Sequence, residues 1–330
     1  MNNIKKDNRN QAIDVVRIIA CFMVIFAHVL LPWGLTKYSV SLLRFAVPYF
    51  LIVTGWHLYR DNKEDALIVA KKTLFKMIKF TFYSLVFISI VNSIVCLIQN
   101  KNIFEWFILF NKKKTLFEFV VFNRGVFFSS IVWYLLALLY SLIIYIILIK
   151  TNLLKKSYLF IVPLVIGNLI INYCFDLKWF ITGNWLFTGL PFLLLGSYLR
   201  TSRWWRKVPT KISWTFIIIG VIMALLEAKL FPLEFIYFST LLIVFGIVTL
   251  VLKDNKFKCN KLISDFGAKC TSYIFVIHCS LRDLLYAIFG KPTNDIIELF
   301  MPIIIFVISS IIAIIIVYIK DKYKILSSKR

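Results

Sequence analysis

The 330 residues contain no Gly-rich phosphate loop, no nucleophile elbow and no internal repeat, so the usual nucleotide-binding, serine-hydrolase and solenoid architectures are not signalled. Cysteine is sparse. The six positions, 21, 96, 174, 259, 270 and 279, form neither a disulfide framework nor a metal-ligand spacing, and no metal is expected. Acidic residues number 16 against 39 Lys and Arg. There are three histidines, His28, His57 and His278. Long polar stretches are also missing, and with them any sign of an appended soluble domain.

Hydrocarbon takes their place. The chain is 60% hydrophobic and 17% aromatic, with a mean hydropathy of +0.83, values that belong to integral membrane proteins. Apolar runs of about 20 residues are long enough to cross the bilayer core as helices, and they show none of the alternation of a barrel. The expected fold is all-α: one integral-membrane domain over 1–330, a bundle of about ten transmembrane helices at 12–319 between tails at 1–11 and 320–330. The spans are drawn at roughly 12–33, 39–59, 75–98, 127–149, 158–175, 183–199, 212–230, 234–252, 271–289 and 299–319. Of the 39 basic residues, 25 fall in the inner segments and nine in the outer ones if the N-terminus is inside. Both termini are therefore expected in the cytoplasm of a multi-pass cell-membrane protein. Topology and attraction to anionic inner-leaflet lipid then account for the net charge of +23, and no nucleic-acid partner is implied. The first span is expected to be retained, because Asp14 and Arg17 interrupt the apolar run that a cleaved leader or lipobox would need.

Ionisable groups inside spans mark functional sites by default. In Ile13–Pro32 the eleven steps from Arg17 to His28 return to one face with a rise of about 16 Å, and Asp14 lies three residues before Arg17. A snorkelling border pair is the plain alternative for Asp14 and Arg17, but it does not explain His28, which is deep in the span. Arg44 in the second span either faces the cavity or snorkels. Pro48 is expected to kink that helix and Gly55 to allow close packing. Residues 60–72 read as a charged inner loop, with His57 interfacial. The outer 99–126 segment carries Lys101, Lys112, Lys113, Lys114 and Arg124 against the positive-inside bias, as either a lid for an anionic acceptor or a tolerated loop. Trp133-Tyr134 opens the fourth span, where an isolated pair would ordinarily be an aromatic anchor. Asn168 and Asn172 can bond across helices. His278 and Arg282 share a stripe of the ninth span.

Together these stretches resemble the integral-membrane acyltransferase 3 family. The resemblance rests on Ile13-Asp14 with the Arg17-to-His28 spacing, on Pro48 to Gly55, on Trp133-Tyr134-Leu135, on Pro191-Phe192 through Gly196, and on Ser272 to His278. The motifs occur in the family's order and span almost the whole chain. Thr54, Phe275 and Ile131 depart from the usual Ser, Tyr and His, and the last leaves no histidine in the fourth span. The resemblance implies transfer of an acyl group, typically acetyl, from cytoplasmic acetyl-CoA to a hydroxyl of an extracytoplasmic or lipid-linked glycan. Acyl-CoA would be a donor substrate; no permanently bound cofactor is expected. It implies His28 as general base, Arg17 binding the donor or a developing negative charge, and Asp14 holding Arg17. Arg44, Thr54, Arg60, Trp133, Tyr134 and His278 make up the expected substrate-binding set, and Arg200 is a further candidate for the CoA phosphates. A transporter or flippase is the competing reading of intramembrane charge, and a binding module without chemistry is a third.

Overall fold

The computed structural model describes residues 10–327 except 112, 126, 176, 232–235 and 254–256. Among the described residues there is no strand. The helices are α1 (Gln11–His28), α2 (Thr36–Leu43), α3 (Ala46–Leu58), α4 (Lys63–Ile98), α5 (Lys113–Phe122), α6 (Val132–Lys150), α7 (Leu154–Ser157) and α8 (Ile161–Cys174). They continue as α9 (Leu190–Ser202), α10 (Thr210–Leu230), α11 (Phe238–Lys253), α12 (Lys261–Lys269), α13 (Thr271–Phe289) and α14 (Asp295–Ser327). Among the described residues, eight segments are helical, long and apolar enough to cross a membrane. The other two expected spans are shorter helices. The run at 183–199 is a π-helical turn at Trp185–Gly189 leading into the 13 residues of α9, and that at 234–252 reduces to the 16 residues of α11, its residues 234 and 235 lying outside the described ones. Phe82 and Ile90 of α4 are more than half exposed, the outward apolar face of a multi-pass membrane protein.

Proline decides where several of these helices break. A proline has no N–H for the carbonyl four residues earlier, and that carbonyl belongs to His28 for Pro32, to Arg44 for Pro48 and to Phe187 for Pro191. The first span accordingly ends at His28 instead of running to residue 33, and the second divides into α2 and α3 at Arg44 and Phe45. Two of the released carbonyls have a side-chain donor. Arg282 donates to the carbonyl of His28, and Asn168 Nδ2 donates to that of Phe187 at 3.0 Å.

Two expected non-helical segments are helical. Residues 63–72 belong to α4, because Asn62 caps its first turn by accepting from the Glu64 N–H at 2.7 Å, and Glu64 and Asp65 complement the helix dipole there. The tail from residue 320 continues α14 as far as Ser327. Its last turns are tied down by Lys269 to Asp321 at 2.9 Å and by Lys320 to the Tyr273 hydroxyl at 3.2 Å.

Backbone contact through glycine fixes the centre of the bundle. A Cβ on Gly55 would strike the carbonyl of Leu193, and one on Gly196 would strike that of Ile52, so α3 and α9 cross with their main chains touching. Gly267 of α12 lies in the same way against the backbone of Asp14.

Candidate active site

Two cavities meet at the middle of the bundle. The larger, about 1010 Å³, opens among residues from α1, α3, α4, α6, α12, α13 and α14. The smaller, about 80 Å³, lies where α1 ends, α3 begins and α6 begins. Tyr134 and Phe275 line both, with ring centroids 5.1 Å apart, and so form the wall between them.

The large cavity is basic. Arg17, Lys76, Lys79, Lys269 and Lys320 line it against a single carboxylate, Asp321. Arg17 is held by Asp14, which is buried, at 3.2 Å, and Asp14 in turn accepts from the Ser264 hydroxyl of α12 at 2.9 Å. Arg17 is thus held through Nη1 while its side chain, 23% exposed, lines the cavity. Thr54 lines the same space, its hydroxyl donating to the Phe50 carbonyl at 2.8 Å. His57, exposed near the inner end of α3, lines it too.

The small cavity gathers His28, Arg44, Trp133 and Tyr134. Trp133 is 6% exposed and sits inside the bundle instead of anchoring its rim. Arg44 faces this space because the break caused by Pro48 puts it at the joint of α2 and α3. Behind His28 stand Ser130, His278, Cys279 and Arg282. The Ser130 hydroxyl is 3.2 Å from His28 Nδ1, and the His28 and His278 rings are 5.3 Å apart between centroids. Arg282 bonds the Asp283 carboxylate through Nε and Nη2 at 2.9 and 2.7 Å while its Nη1 reaches the His28 carbonyl.

Two expected members of the substrate-binding set lie elsewhere. Arg60 is exposed and turns back to donate to the carbonyls of His57 and Tyr59 at 2.9 and 2.6 Å, in the short connection before the Asn62 cap. His278 is 1% exposed and faces His28 rather than either cavity. Arg200 stacks over Trp56 at 4.8 Å, away from both cavities. Lys76, Lys79, Ser130 and Cys279 carried no functional expectation in the sequence, and His57 only an interfacial one. The spacing of prolines four residues after His28 and Arg44 was a usable signal for the small cavity, since it marks both as helix ends.

Arg17 and His28 sit about 16 Å apart along α1. One helix thus supplies an anchored cation to the large basic cavity and an imidazole to the small one. No curated protein and no solved structure matches the chain. A family model described as an acyltransferase domain, that of the acyltransferase 3 family, matches residues 10–321. The match takes in every helix that builds the two cavities, and the chain belongs to the acyltransferase 3 family.

Proposed function

We propose that the protein is an O-acyltransferase of the bacterial plasma membrane, moving an acyl group, acetyl in the first instance, from cytoplasmic acyl-CoA to a hydroxyl of an extracytoplasmic or lipid-linked glycan. The observation that carries this reading is the pair of adjoining cavities with His28 in one and Arg17 in the other. The large cavity suits the CoA phosphates, which a guanidinium fork and several ammonium groups can meet directly. It also opens at the end of the bundle where α1 starts and α14 finishes, the end that the basic-residue bias assigns to the cytoplasm.

The chemistry follows from the wall between the cavities. A thioester carried past Tyr134 and Phe275 on the flexible pantetheine arm meets a sugar hydroxyl beside His28. That hydroxyl is a poor nucleophile until a base takes its proton, and a neutral imidazole nitrogen can accept it. The new ester forms as the C–S bond breaks, and the CoA thiolate leaves with the proton that His28 collected. Arg17 is too distant along α1 to meet the oxyanion at that point and acts on the donor. Arg44, which lines the small cavity, is the cation placed to stabilise the developing charge.

His28→Gln tests the assignment. It keeps a polar side chain of similar reach that cannot accept the proton, so O-acylation of surface glycan, measured by NMR in a complemented deletion strain, should fall by ~10²-fold or more. Monodisperse protein that still binds CoA accompanies that result. Near-native O-acylation by His28→Gln would remove His28 as the base.

A further inference from the structure

The polar atoms behind His28 form a chain whose one fixed end is a backbone carbonyl. His278 Nδ1 lies 3.2 Å from the carbonyl of Ile274, which can only accept, so Nδ1 carries the proton. In the neutral ring Nε2 is then an acceptor, and Cys279 Sγ stands 3.3 Å from it. The thiol proton belongs on that contact. The sulfur is left to accept, and the Ser130 hydroxyl is 3.6 Å away. With its proton directed to sulfur, the Ser130 oxygen accepts from His28 Nδ1 at 3.2 Å. His278 and Cys279 are buried, and His28 and Ser130 are half-buried.

We propose that Ser130, Cys279 and His278 are positioning residues that lock His28 in the Nδ1–H tautomer and leave Nε2 as its basic nitrogen. The inference rests on the reading of His28 as the general base, and it specifies which nitrogen receives the hydroxyl proton. Arg282 completes the support. By binding the carbonyl of His28 it holds the end of α1, and with it the ring, against α13. The arrangement gives the last residue of a helix the fixed orientation that a base needs, because a ring free to turn or to exchange tautomers presents the wrong nitrogen part of the time.

With three histidines in the chain, ring-nitrogen NMR of the 15N-histidine-labelled full-length protein in nanodiscs reads each tautomer, and single His→Gln variants assign the signals. The wild-type His28 ring should show a protonated Nδ1 and an unprotonated Nε2. Ser130→Ala should convert that signal to a mixture of tautomers and lower kcat by at least ~10-fold with the KM for acyl-CoA unchanged. Cys279→Ser, whose hydroxyl can both accept and donate, should keep the native tautomer, whereas Cys279→Ala should not. A wild-type His28 protonated at Nε2, or a tautomer unmoved by Ser130→Ala in folded protein, overturns the proposal. One bound equivalent of zinc also overturns it: the donor atoms of His28, His278 and Cys279 lie within 4.8 Å of one another, and a metal would take the lone pairs that the chain uses. The spectrum is independent of turnover. An inactive His28→Gln with the wrong wild-type tautomer therefore refutes the chain alone, and an active His28→Gln with the expected tautomer refutes the base alone.

Discussion

Asp14 shows how much one buried carboxylate can organise. It holds Arg17, accepts from Ser264 and has Gly267 packed against its own backbone, so the first turn of α1 and the middle of α12 meet at this residue. Asp14→Asn keeps the shape and removes the charge. Arg17 would then point into the basic cavity without its anchor, and the loss of a charge-assisted bond is worth about 1–3 kcal/mol. The expected result is a KM for acyl-CoA raised by ~10-fold or more with little change in kcat, because Asp14 stands about 21 Å along α1 from His28. Steady-state kinetics in proteoliposomes would check it. A fall in kcat at unchanged KM would instead place Asp14 in the chemical step. The Asp14–Arg17 pairing was legible from a three-residue spacing, since neighbours on a helix face are fixed by its pitch. The partners from α12 and α13 were not, being some 250 residues away in sequence.

At the scale of elements, the crossing of α3 and α9 is the tightest contact that bears on the site. Each helix offers one glycine to the other's main chain, and α3 follows directly on Arg44 and carries Thr54 and His57 along its length. Gly196→Ala should force the helices apart and cost roughly 1–3 kcal/mol, as overpacking does, seen as a lower unfolding temperature in detergent. Gly196→Leu should fail to yield a monodisperse protein. If Gly196→Ala unfolds like the native chain, the contact gives more readily than its geometry implies. The glycines and prolines were visible in the sequence as hinge and packing positions, but their partners were not. Pro48 was expected to kink a helix. That it faces Arg44 toward His28 depends on where α1 stops, and that in turn depends on Pro32.

For the molecule as a whole, orientation governs which cavity serves which substrate. Lys101, in the connection after α4, and Lys207, in the connection after α9, are both exposed and lie on opposite sides of the expected bilayer. In a background without reactive native cysteines, Lys101→Cys should label from outside intact cells and Lys207→Cys only after permeabilisation. Labelling of both from one side would invert or break the assignment of spans, and with it the cytoplasmic entry of the donor. The basic 99–126 segment, which runs against the positive-inside bias, is short-helical where described, and Trp106 in it donates to Ser93 of α4 at 3.2 Å. That bond pins the segment to the bundle.

The sequence by itself determined the class of fold and pointed to α1 as the place of a candidate site. Membrane insertion depends on hydropathy summed along the chain and orientation on the count of basic residues in connections, both of which are local quantities. The α1 stripe likewise needs only helical pitch to bring Asp14, Arg17 and His28 into line, and the ordered motifs carried the family. Tertiary structure decided the rest: that Arg17 and His28 open into different cavities, that Tyr134 and Phe275 separate them, that Arg60 and His278 stand outside both, and that Ser130 and Cys279 join His28 to His278. These facts depend on which helices touch. In a membrane bundle almost every helix is apolar all round, so the pattern of hydrophobicity that would identify a buried face in water is silent. Close backbone contacts and a few buried polar bonds choose the neighbours instead, and those are made between residues far apart in the chain.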